Sequence, residues 1–196
     1  MSEVAEGYIC RLPISPRLGP YGTHKQVYKA LPNRPVYRRF KDHAIVVSKE
    51  APLESVDSKP FCPKIVAGEN LRFALKADIS KSKFISGKRG ERYDPVLDAR
   101  KEDPKLSYGD IAEGIGHEWI ARKGTECGFR LIQADCFDYE QIRFIRPDSQ
   151  RQIRFSAIDF QGILEVIDTN SFCKALLGGI GRGKAFGLGL LLVRRS

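Results

Sequence analysis

The sequence predicts an α+β fold made of two tandem ferredoxin-like (RRM-like) βαββαβ domains, residues 1–68 and 69–196. The first observation behind this prediction is the order of its segments, strand, helix, strand, strand, helix, strand, which occurs twice along the chain. The second is the length, because 196 residues accommodate two small domains of roughly a hundred residues each. The third is the 42% of hydrophobic residues, which is enough to form a folded core.

The first copy of the pattern opens on a weakly alternating strand at Tyr8–Ile14. Pro20 suits the first turn of a helix, because its missing N–H would have no intrahelical partner there. Apolar and aromatic side chains then recur at three- and four-residue spacing until Pro32, which is expected to end the helix. The remaining elements are predicted to be strands at Val36–Phe40 and Ala44–Ser48, a short helix at Leu53–Val56 and a strand at Phe61–Val66.

The second copy opens on a half-buried strand at Leu71–Ala77, where apolar and basic residues alternate. Residues 80–105 are rich in Lys, Gly, Asp and Pro and are expected to form a loop. Ser107 and Asp110 resemble a capping pair and predict the start of a second helix. The later elements are predicted to be strands at Phe129–Ala134, Gln141–Ile145, Gln152–Phe155 and Gly162–Ile167, a helix at Ser171–Leu177 capped by Thr169, and a strand at Gly187–Arg194.

Positive charge is concentrated in the first half of the chain. Residues 1–100 carry 19 Lys and Arg against 11 Asp and Glu, whereas residues 101–196 carry 14 and 13. Two stretches stand out, because Lys25–Lys41 has six basic and no acidic residues, and Arg72–Arg92 has seven and two. Clustered cations attract a polyanion and release its counterions, which favours nucleic acid as the partner. On charge alone, a solvated basic surface without a ligand is an equally good explanation.

Several other classes of protein do not fit the sequence. No apolar run approaches the roughly 18 residues that a membrane span needs, so no membrane contact is expected. The N-terminus lacks the basic and apolar regions of a signal peptide. The five cysteines are scattered and form no C-x-x-C pair, which predicts reduced thiols in a cytoplasmic protein. Because no His, Cys, Asp and Glu residues cluster at ligand spacing, we expect no metal and no cofactor.

The most distinctive segment is the glycine-rich loop that runs from Gly178 to Gly189. It formally matches G-x-x-x-x-G-K, but Ala185 stands where a P-loop needs Ser or Thr for magnesium, and a helix precedes the loop instead of following it. An enzyme that binds a small nucleotide here is therefore disfavoured. The loop suits a phosphate backbone or close packing of a helix against a strand. Its glycines are Gly179, Gly181, Gly183, Gly187 and Gly189, and its cations are Arg182 and Lys184.

Three residues of the first predicted helix could act together on a phosphate. Tyr21 lies three residues before His24, so the two side chains share one face. Lys29 lies five residues after His24, about 140° further round the helix, but its long stem can lean toward a ligand at that end. Together they would supply a proton-transfer group, an orienting hydroxyl and a cation. On these residues alone, surface decoration of an amphipathic helix is the commoner explanation.

Five motifs of the sequence resemble one known family. Tyr21-Gly-Thr-His24-Lys-Gln-Val-Tyr-Lys29-Ala-Leu-Pro resembles the first-helix motif of the CRISPR RNA-processing endoribonucleases of the type I-E Cascade complex, the CasE family. In that family, Tyr-x-x-His and a basic residue five positions later form the active site. The other motifs follow in the family's order and are Leu71-Arg-Phe-Ala-Leu-Lys-Ala, Cys127-Gly-Phe-Arg-Leu, Phe160-Gln-Gly-Ile-Leu-Glu-Val and Gly179-Ile-Gly-Arg-Gly-Lys-Ala-Phe-Gly-Leu-Gly-Leu-Leu.

The resemblance covers residues 21 to 193, and the sequence departs from the family in two places. The chain before Tyr8 is longer than the family's usual start, and Asp78-Ile79 stands where Asn-Pro is common. The resemblance implies a substrate, the CRISPR precursor RNA, cut at the 3′ base of each repeat stem-loop. It also implies that the mature guide RNA is kept for the surveillance complex, with the other Cascade subunits as partners.

The chemistry implied by the resemblance is metal-independent attack of a 2′-hydroxyl on the neighbouring phosphate, which leaves 2′,3′-cyclic phosphate and 5′-hydroxyl ends. His24 would be the general acid or base, Tyr21 would position the 2′-hydroxyl or the phosphate, and Lys29 would offset negative charge. The cations expected to bind RNA are Lys81, Lys83, Lys88, Arg89, Arg143, Arg146, Arg151, Arg154, Arg182 and Lys184. The alternative is a non-catalytic subunit that binds stem-loop RNA on the same fold.

Overall fold

A computed structural model of the chain describes residues 7–31, 33–54, 56–85 and 88–195. Within these residues there are ten strands, four helices and a 3₁₀ turn at Lys184–Phe186. In chain order the strands and helices are β1 (Gly7–Pro13), α1 (Pro20–Ala30), β2 (Val36–Arg39), β3 (His43–Ser48), β4 (Ser58–Phe61), β5 (Asn70–Asp78), β6 (Lys81–Ile85), β7 (Lys88–Tyr93), α2 (Pro95–Glu102), α3 (Tyr108–Glu126), β8 (Phe129–Ile145), β9 (Gln152–Val166), α4 (Thr169–Gly178) and β10 (Leu192–Arg195).

Two four-stranded antiparallel sheets account for most of the strands. The first has the order β2-β3-β1-β4 and the second β10-β5-β9-β8. In each sheet the first strand of the unit lies between the third and the last, which is the strand order of a split βαβ unit. The predicted fold class, two tandem ferredoxin-like units, is therefore confirmed. We propose the domain boundary between residues 68 and 69, in the connection from β4 to β5.

The first sheet is covered on both faces. On one face, Val27 of α1 packs with the buried side chains of Tyr37 and Val46. On the other face, Val36 packs against Leu190, which follows the glycine-rich loop in the second half of the chain. Because successive residues of a strand point to opposite faces, β2 contributes Val36 to one layer and Tyr37 to the other. Helix α1 and Leu190 therefore pack on opposite faces of the first sheet.

An ionic cluster joins the two sheets next to this apolar contact. A guanidinium nitrogen of Arg38 on β2 lies 2.5 Å from a carboxylate oxygen of Asp159 on β9. The Lys76 ammonium on β5 lies 3.1 Å from the same carboxylate and 2.6 Å from Glu140 on β8. Asp159 thus holds cations from both sheets, which fixes the first sheet over one face of the second.

Helices α3 and α4 cover the other face of the second sheet. The Ser107 side chain accepts a hydrogen bond from the Asp110 backbone N–H at 3.0 Å, so the predicted start of α3 is confirmed. The apolar stripe of α3 contributes Trp119, whose ring stacks on Phe160 at 5.6 Å between centroids. No helix in the described part of the chain is long and apolar enough to cross a membrane.

Two predicted elements of the first half are wrong. The described residues of Leu53–Val56 form a single turn, closed by a bond from the Val56 N–H to the Leu53 carbonyl at 2.9 Å, instead of a helix. The last strand is β4 at Ser58–Phe61 instead of Phe61–Val66, because Pro63 cannot donate a ladder hydrogen bond and stops the strand. Pro32, which was expected to end α1, lies outside the described residues.

The prediction of a loop at residues 80–105 is also wrong, because the described residues of this range form the paired strands β6 and β7 and helix α2. The Asp94 side chain caps α2 by accepting from the backbone N–H groups of Val96 and Leu97, and Pro95 occupies the first turn. Asp followed by Pro is a typical helix start, so the sequence did contain a signal for α2. The loop was expected because lysine, glycine and aspartate dominate the composition of the segment.

In the second half of the chain, the lengths and ends of several elements differ from those predicted from the sequence. The four separate strands predicted between residues 129 and 167 are two long strands, β8 and β9, because irregularities near Leu131 and Phe137 let β8 continue through a polar run. Asp168, not Thr169, caps α4. The last strand begins at Leu192 instead of Gly187, because Gly187 and Gly189 have positive φ angles that interrupt a strand.

Candidate active site

The imidazole of His24 is held by a backbone carbonyl from the other half of the chain. His24 Nδ1 lies 2.9 Å from the carbonyl oxygen of Ala185, 161 positions away. A carbonyl oxygen can only accept, so Nδ1 carries the proton and Nε2 of the neutral ring keeps its lone pair. The hydroxyl of Tyr37, a fully buried side chain, donates to the same carbonyl at 3.1 Å. The carbonyl is therefore fixed in place and orients the imidazole.

Three aromatic rings surround the His24 ring. The centroid distances are 4.3 Å to Tyr28, 5.1 Å to Phe186 and 6.1 Å to Tyr21. Burial among them lowers the pKa of His24 below its ordinary value of 6.5, and the Ala185 carbonyl opposes this shift. The nearby charge of Arg146 lowers this pKa further, whereas Asp148 raises it. The net effect keeps the His24 ring neutral near pH 7, with Nε2 available to accept a proton.

The glycine-rich loop is the element that brings the Ala185 carbonyl to α1. The five glycines of the predicted loop all have positive φ angles, and Gly183 and Gly187 flank the 3₁₀ turn that contains Ala185. The loop is closed by a bond from the Ile180 N–H to the Gly189 carbonyl and tied to β5 by one from Gly189 to Lys76, each 2.7 Å long. The N–H groups of the loop that make these bonds serve packing and are not free for a phosphate.

Gly189→Ala is expected to lower the free energy of unfolding by about 2 kcal/mol or more. Gly189 has a φ of +86°, and an added Cβ would lie 2.4 Å from the Ile180 carbonyl oxygen. Chemical denaturation measures the change. The matched control is Gly178→Ala, where an added Cβ meets no atom within 4 Å. Equal stability of the two variants would contradict a structural role for the loop.

The tip of the β8–β9 hairpin lies near Tyr21 of α1. The bond from the Arg146 N–H to the Arg151 carbonyl, 2.9 Å long, closes the tip, and the Arg146 guanidinium lies 2.7 Å from the Asp148 carboxylate. The Tyr21 side chain is close enough to raise the pKa of Arg146 and lower the pKa of Asp148, although both shifts come mainly from the Arg146–Asp148 pair itself. Arg146, through its hydrogen bond and charge, lowers the pKa of Asp148. An arginine thus lies at the phenol, where an anion could be bound.

The hairpin has an apolar face and a basic face. On the apolar face, Phe144 and Phe155 pack against Phe186 with centroids 5.0 and 5.8 Å apart. On the other face, Arg143 and Arg154 are direct cross-strand partners, and both are exposed. Like charges at opposed positions of a sheet destabilise it, so this pair favours an anionic ligand. Phe186 contacts His24 as well, so the basic hairpin is anchored beside the imidazole.

The remaining predicted site residues are scattered around this centre. Lys29 is exposed in the last turn of α1, and no contact among the described residues joins it to Tyr21 or His24. Lys81 and Lys83 are exposed on β6, with Lys83 at 3.8 Å from Asp98, and Arg151 is exposed at the hairpin tip. The backbone of Lys88 and Arg89 belongs to β7, but their side chains lie outside the described part of the structure.

The two cations of the glycine-rich loop have different surroundings. Arg182 lies 3.5 Å from the buried Asp78 carboxylate and donates to the Ser80 carbonyl. Lys184 is half-buried, and burial lowers the pKa of its ammonium. Cys127 raises this pKa, whereas the charge of Lys123 lowers it further. These contacts indicate a structural role for Arg182 in particular.

The fold and this site define a class of protein: two tandem ferredoxin-like units with an oriented imidazole and an arginine hairpin at their junction. Residues 17–195 match the family described as CRISPR associated protein. The match covers most of the chain, so the chain belongs to this family of CRISPR-associated proteins.

Individual relatives agree with this assignment. The CRISPR-associated endoribonuclease Cse3 of Thermus thermophilus is 32% identical over 145 residues, which are 69% of this chain and 60% of that protein. The chain therefore spans about three fifths of the length of this curated relative. Among solved structures, the endoribonuclease Cse3 bound to 19 nt RNA superposes with a TM-score of 0.74 at 24% identity, covering 97% of this chain and 99% of that one. Cas6e from Escherichia coli K-12 superposes with a TM-score of 0.70 at 18% identity, covering 96% and 100%.

Proposed function

We propose that this protein is an endoribonuclease that cleaves CRISPR precursor RNA at the 3′ base of the repeat stem-loop. It then keeps the mature guide RNA and enters a type I-E Cascade surveillance complex with it. The observation that carries the proposal is the placement of His24 beside Tyr21 and an arginine hairpin. Its Nδ1 is held by Ala185, and its Nε2 has no hydrogen-bond partner among the described residues. The similar Thermus protein is named an endoribonuclease, and a similar structure is bound to RNA, which supports the same activity here.

In the proposed reaction, neutral His24 accepts the proton of the 2′-hydroxyl at Nε2. The freed oxygen attacks the adjacent phosphorus, a P–O bond forms, and the bond to the 5′-oxygen of the next nucleotide breaks. That oxygen takes a proton from solvent water and leaves as a 5′-hydroxyl, while the other product ends in a 2′,3′-cyclic phosphate. His24 then returns its extra proton to the solvent. Tyr21 orients the phosphate, and Arg146 and Lys29 stabilise its added negative charge. Because these side chains supply proton transfer and charge, no step requires a metal ion.

The five cysteines are unpaired in the structure. A reducing compartment maintains this state, so we place the protein in the cytoplasm. The hairpin arginines and the other exposed cations bind the stem-loop through its phosphates and its shape, which is how proteins recognise double-stranded RNA.

Purified protein mixed with a repeat stem-loop in EDTA tests the proposed function. We expect one cut at the 3′ base of the stem, with cyclic phosphate and 5′-hydroxyl ends. A stem-loop with a 2′-deoxy nucleotide at the cut site is the matched control and should bind without being cut. Tight binding of the all-ribose RNA without cleavage would instead support the alternative, a non-catalytic RNA-binding subunit.

The pH dependence of cleavage follows from the environment of His24. The neutral ring is the reactive form, so the rate falls as pH drops through the His24 pKa, which lies below 6.5. Asp148 raises this pKa, so Asp148→Asn should move the acid limb to lower pH. Single-turnover rates against pH measure the shift. Asp135→Asn, an exposed carboxylate on β8, is the control and should leave the limb in place; an upward shift in Asp148→Asn would contradict the assignment.

A further inference from the structure

A cavity of about 670 Å³ lies between the two halves of the chain beside the candidate active site. Its walls come from the first turn of α1, the β2–β3 connection, β5, β8 and the glycine-rich loop. Phe186 lines it and also packs against His24 with ring centroids 5.1 Å apart. The cavity and the imidazole are therefore neighbours that share Phe186.

The cavity has a strong excess of positive charge. Arg39, Lys41, Lys76 and Arg143 line it, together with one carboxylate, Glu140. Glu140 lies 2.6 Å from the Lys76 ammonium, so that cation is neutralised. Among the described residues, no carboxylate lies within ion-pair distance of the other three cations, and the Arg39 guanidinium donates only to the Pro16 carbonyl at 3.3 Å. Three uncompensated cations around one cavity repel one another unless an anion joins them.

The positive end of α1 faces the same place. Pro20 and Thr23 of its first turn line the cavity, and the N-cap Gly19 offers no side-chain hydrogen bond. The Thr23 side chain is 1% exposed, and its Oγ1 has no hydrogen-bond partner among the described residues. The Thr23 N–H is bonded to the Gly19 carbonyl at 3.0 Å and Pro20 has no N–H, so the helix end favours an anion here through its dipole. The unpaired hydroxyl belongs to a residue of the cavity wall and is a second polar feature of this end of α1.

We propose that this cavity is a second phosphate site of the protein, and that it binds one phosphodiester group of the substrate RNA other than the scissile one. The inference rests on the proposed function, because the anion it names belongs to the RNA that His24 cuts. Arg39 and Lys41 supply the charge from the first half of the chain, and Arg143 supplies it from the hairpin. The site thereby holds the strand across the junction and fixes the scissile bond relative to the imidazole.

A scan with neutral linkages tests the site. Stem-loops with a 2′-deoxy nucleotide at the cut site are each given one methylphosphonate in place of a phosphodiester, and their affinities are measured for wild type and Arg39→Gln. At one position away from the cut, the neutral linkage should weaken wild-type binding about tenfold and leave Arg39→Gln almost unaffected. Arg72→Gln, an exposed cation on the second sheet with no ion pair among the described residues, is the matched control and should behave as wild type.

If Arg39→Gln melts at a lower temperature, Lys41→Gln on the exposed turn replaces it. If a methylphosphonate at every position weakened the binding of wild type and of both variants by the same factor, the second phosphate site would be overturned. The proposed function is assessed separately, by cleavage of the all-ribose stem-loop by wild type. If wild type cleaves the RNA but no neutral linkage distinguishes it from the Arg39 or Lys41 variant, only the second phosphate site is rejected. If wild type neither cleaves nor binds the RNA, both the second phosphate site and the proposed function are rejected.

Discussion

His24→Ala is expected to slow single-turnover cleavage of a repeat stem-loop by about 10²–10⁴-fold, which is the usual contribution of one proton-transfer group. The residue accepts the 2′-hydroxyl proton at Nε2, and no other imidazole among the described residues contacts the Tyr21 and Phe186 side chains. Binding should change little, because phosphate contacts from arginine and lysine supply most of the affinity. Cleavage is followed with enzyme in excess, so that slow release of product does not hide the chemical step.

The matched control is His43→Ala. His43 is also half-exposed, and its Nδ1 lies 2.7 Å from the Asp42 carboxylate, away from the glycine-rich loop. This variant should cut at close to the wild-type rate. A His24→Ala protein that retains more than a tenth of the wild-type rate would contradict the assignment of His24 as the proton acceptor.

Replacing Arg143 and Arg154 together with glutamine should weaken stem-loop binding about tenfold or more at physiological salt. Each arginine that neutralises a phosphate releases a counterion, so the slope of log affinity against log salt should fall by roughly 1.5 to 2 for the pair. The free energy of unfolding should stay equal or rise slightly. The two guanidinium groups are cross-strand partners, and their repulsion disappears in the variant.

Lys101→Gln with Lys105→Gln makes the same change of charge on exposed side chains near the end of α2. If the affinity of the protein for RNA depends only on its total charge, the two double variants should lose the same amount of affinity for the stem-loop. A loss confined to the hairpin variant supports local phosphate contacts at β8 and β9. Equal losses would contradict the role of the hairpin and leave only long-range attraction.

The features of the candidate site that depend only on neighbouring residues in the chain could be predicted from the sequence. Helix α1 follows from Pro20 and from apolar spacing, and the Tyr21 and His24 side chains share a face because they lie one turn apart. Tyr28, four residues after His24, satisfies the same spacing rule and was available to sequence reasoning as a ring neighbour. These predictions succeed because helix geometry depends on residues close together in the chain.

The partners that orient the imidazole could not be predicted in this way. The Ala185 carbonyl is a backbone group 161 positions from His24, and alanine carries no sign of that contact. Tyr37 lies in the predicted strand Val36–Phe40, and nothing near it in the sequence indicates that its hydroxyl donates to this carbonyl. Asp148 lies 124 positions from His24 in the chain, but its charge raises the pKa of that imidazole. Each contact depends on how the two halves pack, which no local pattern specifies.

The most direct test of the central claim is a measurement of the His24 tautomer in the intact protein. Long-range proton–nitrogen correlation spectra of ¹⁵N-labelled protein, recorded from pH 5 to pH 8, report which ring nitrogen carries the proton and the pH at which the second one binds. The Ala185 contact predicts a neutral ring protonated at Nδ1 that gains its second proton below pH 6.5. A neutral ring protonated at Nε2 would contradict the account, because that nitrogen could not accept a proton from the 2′-hydroxyl.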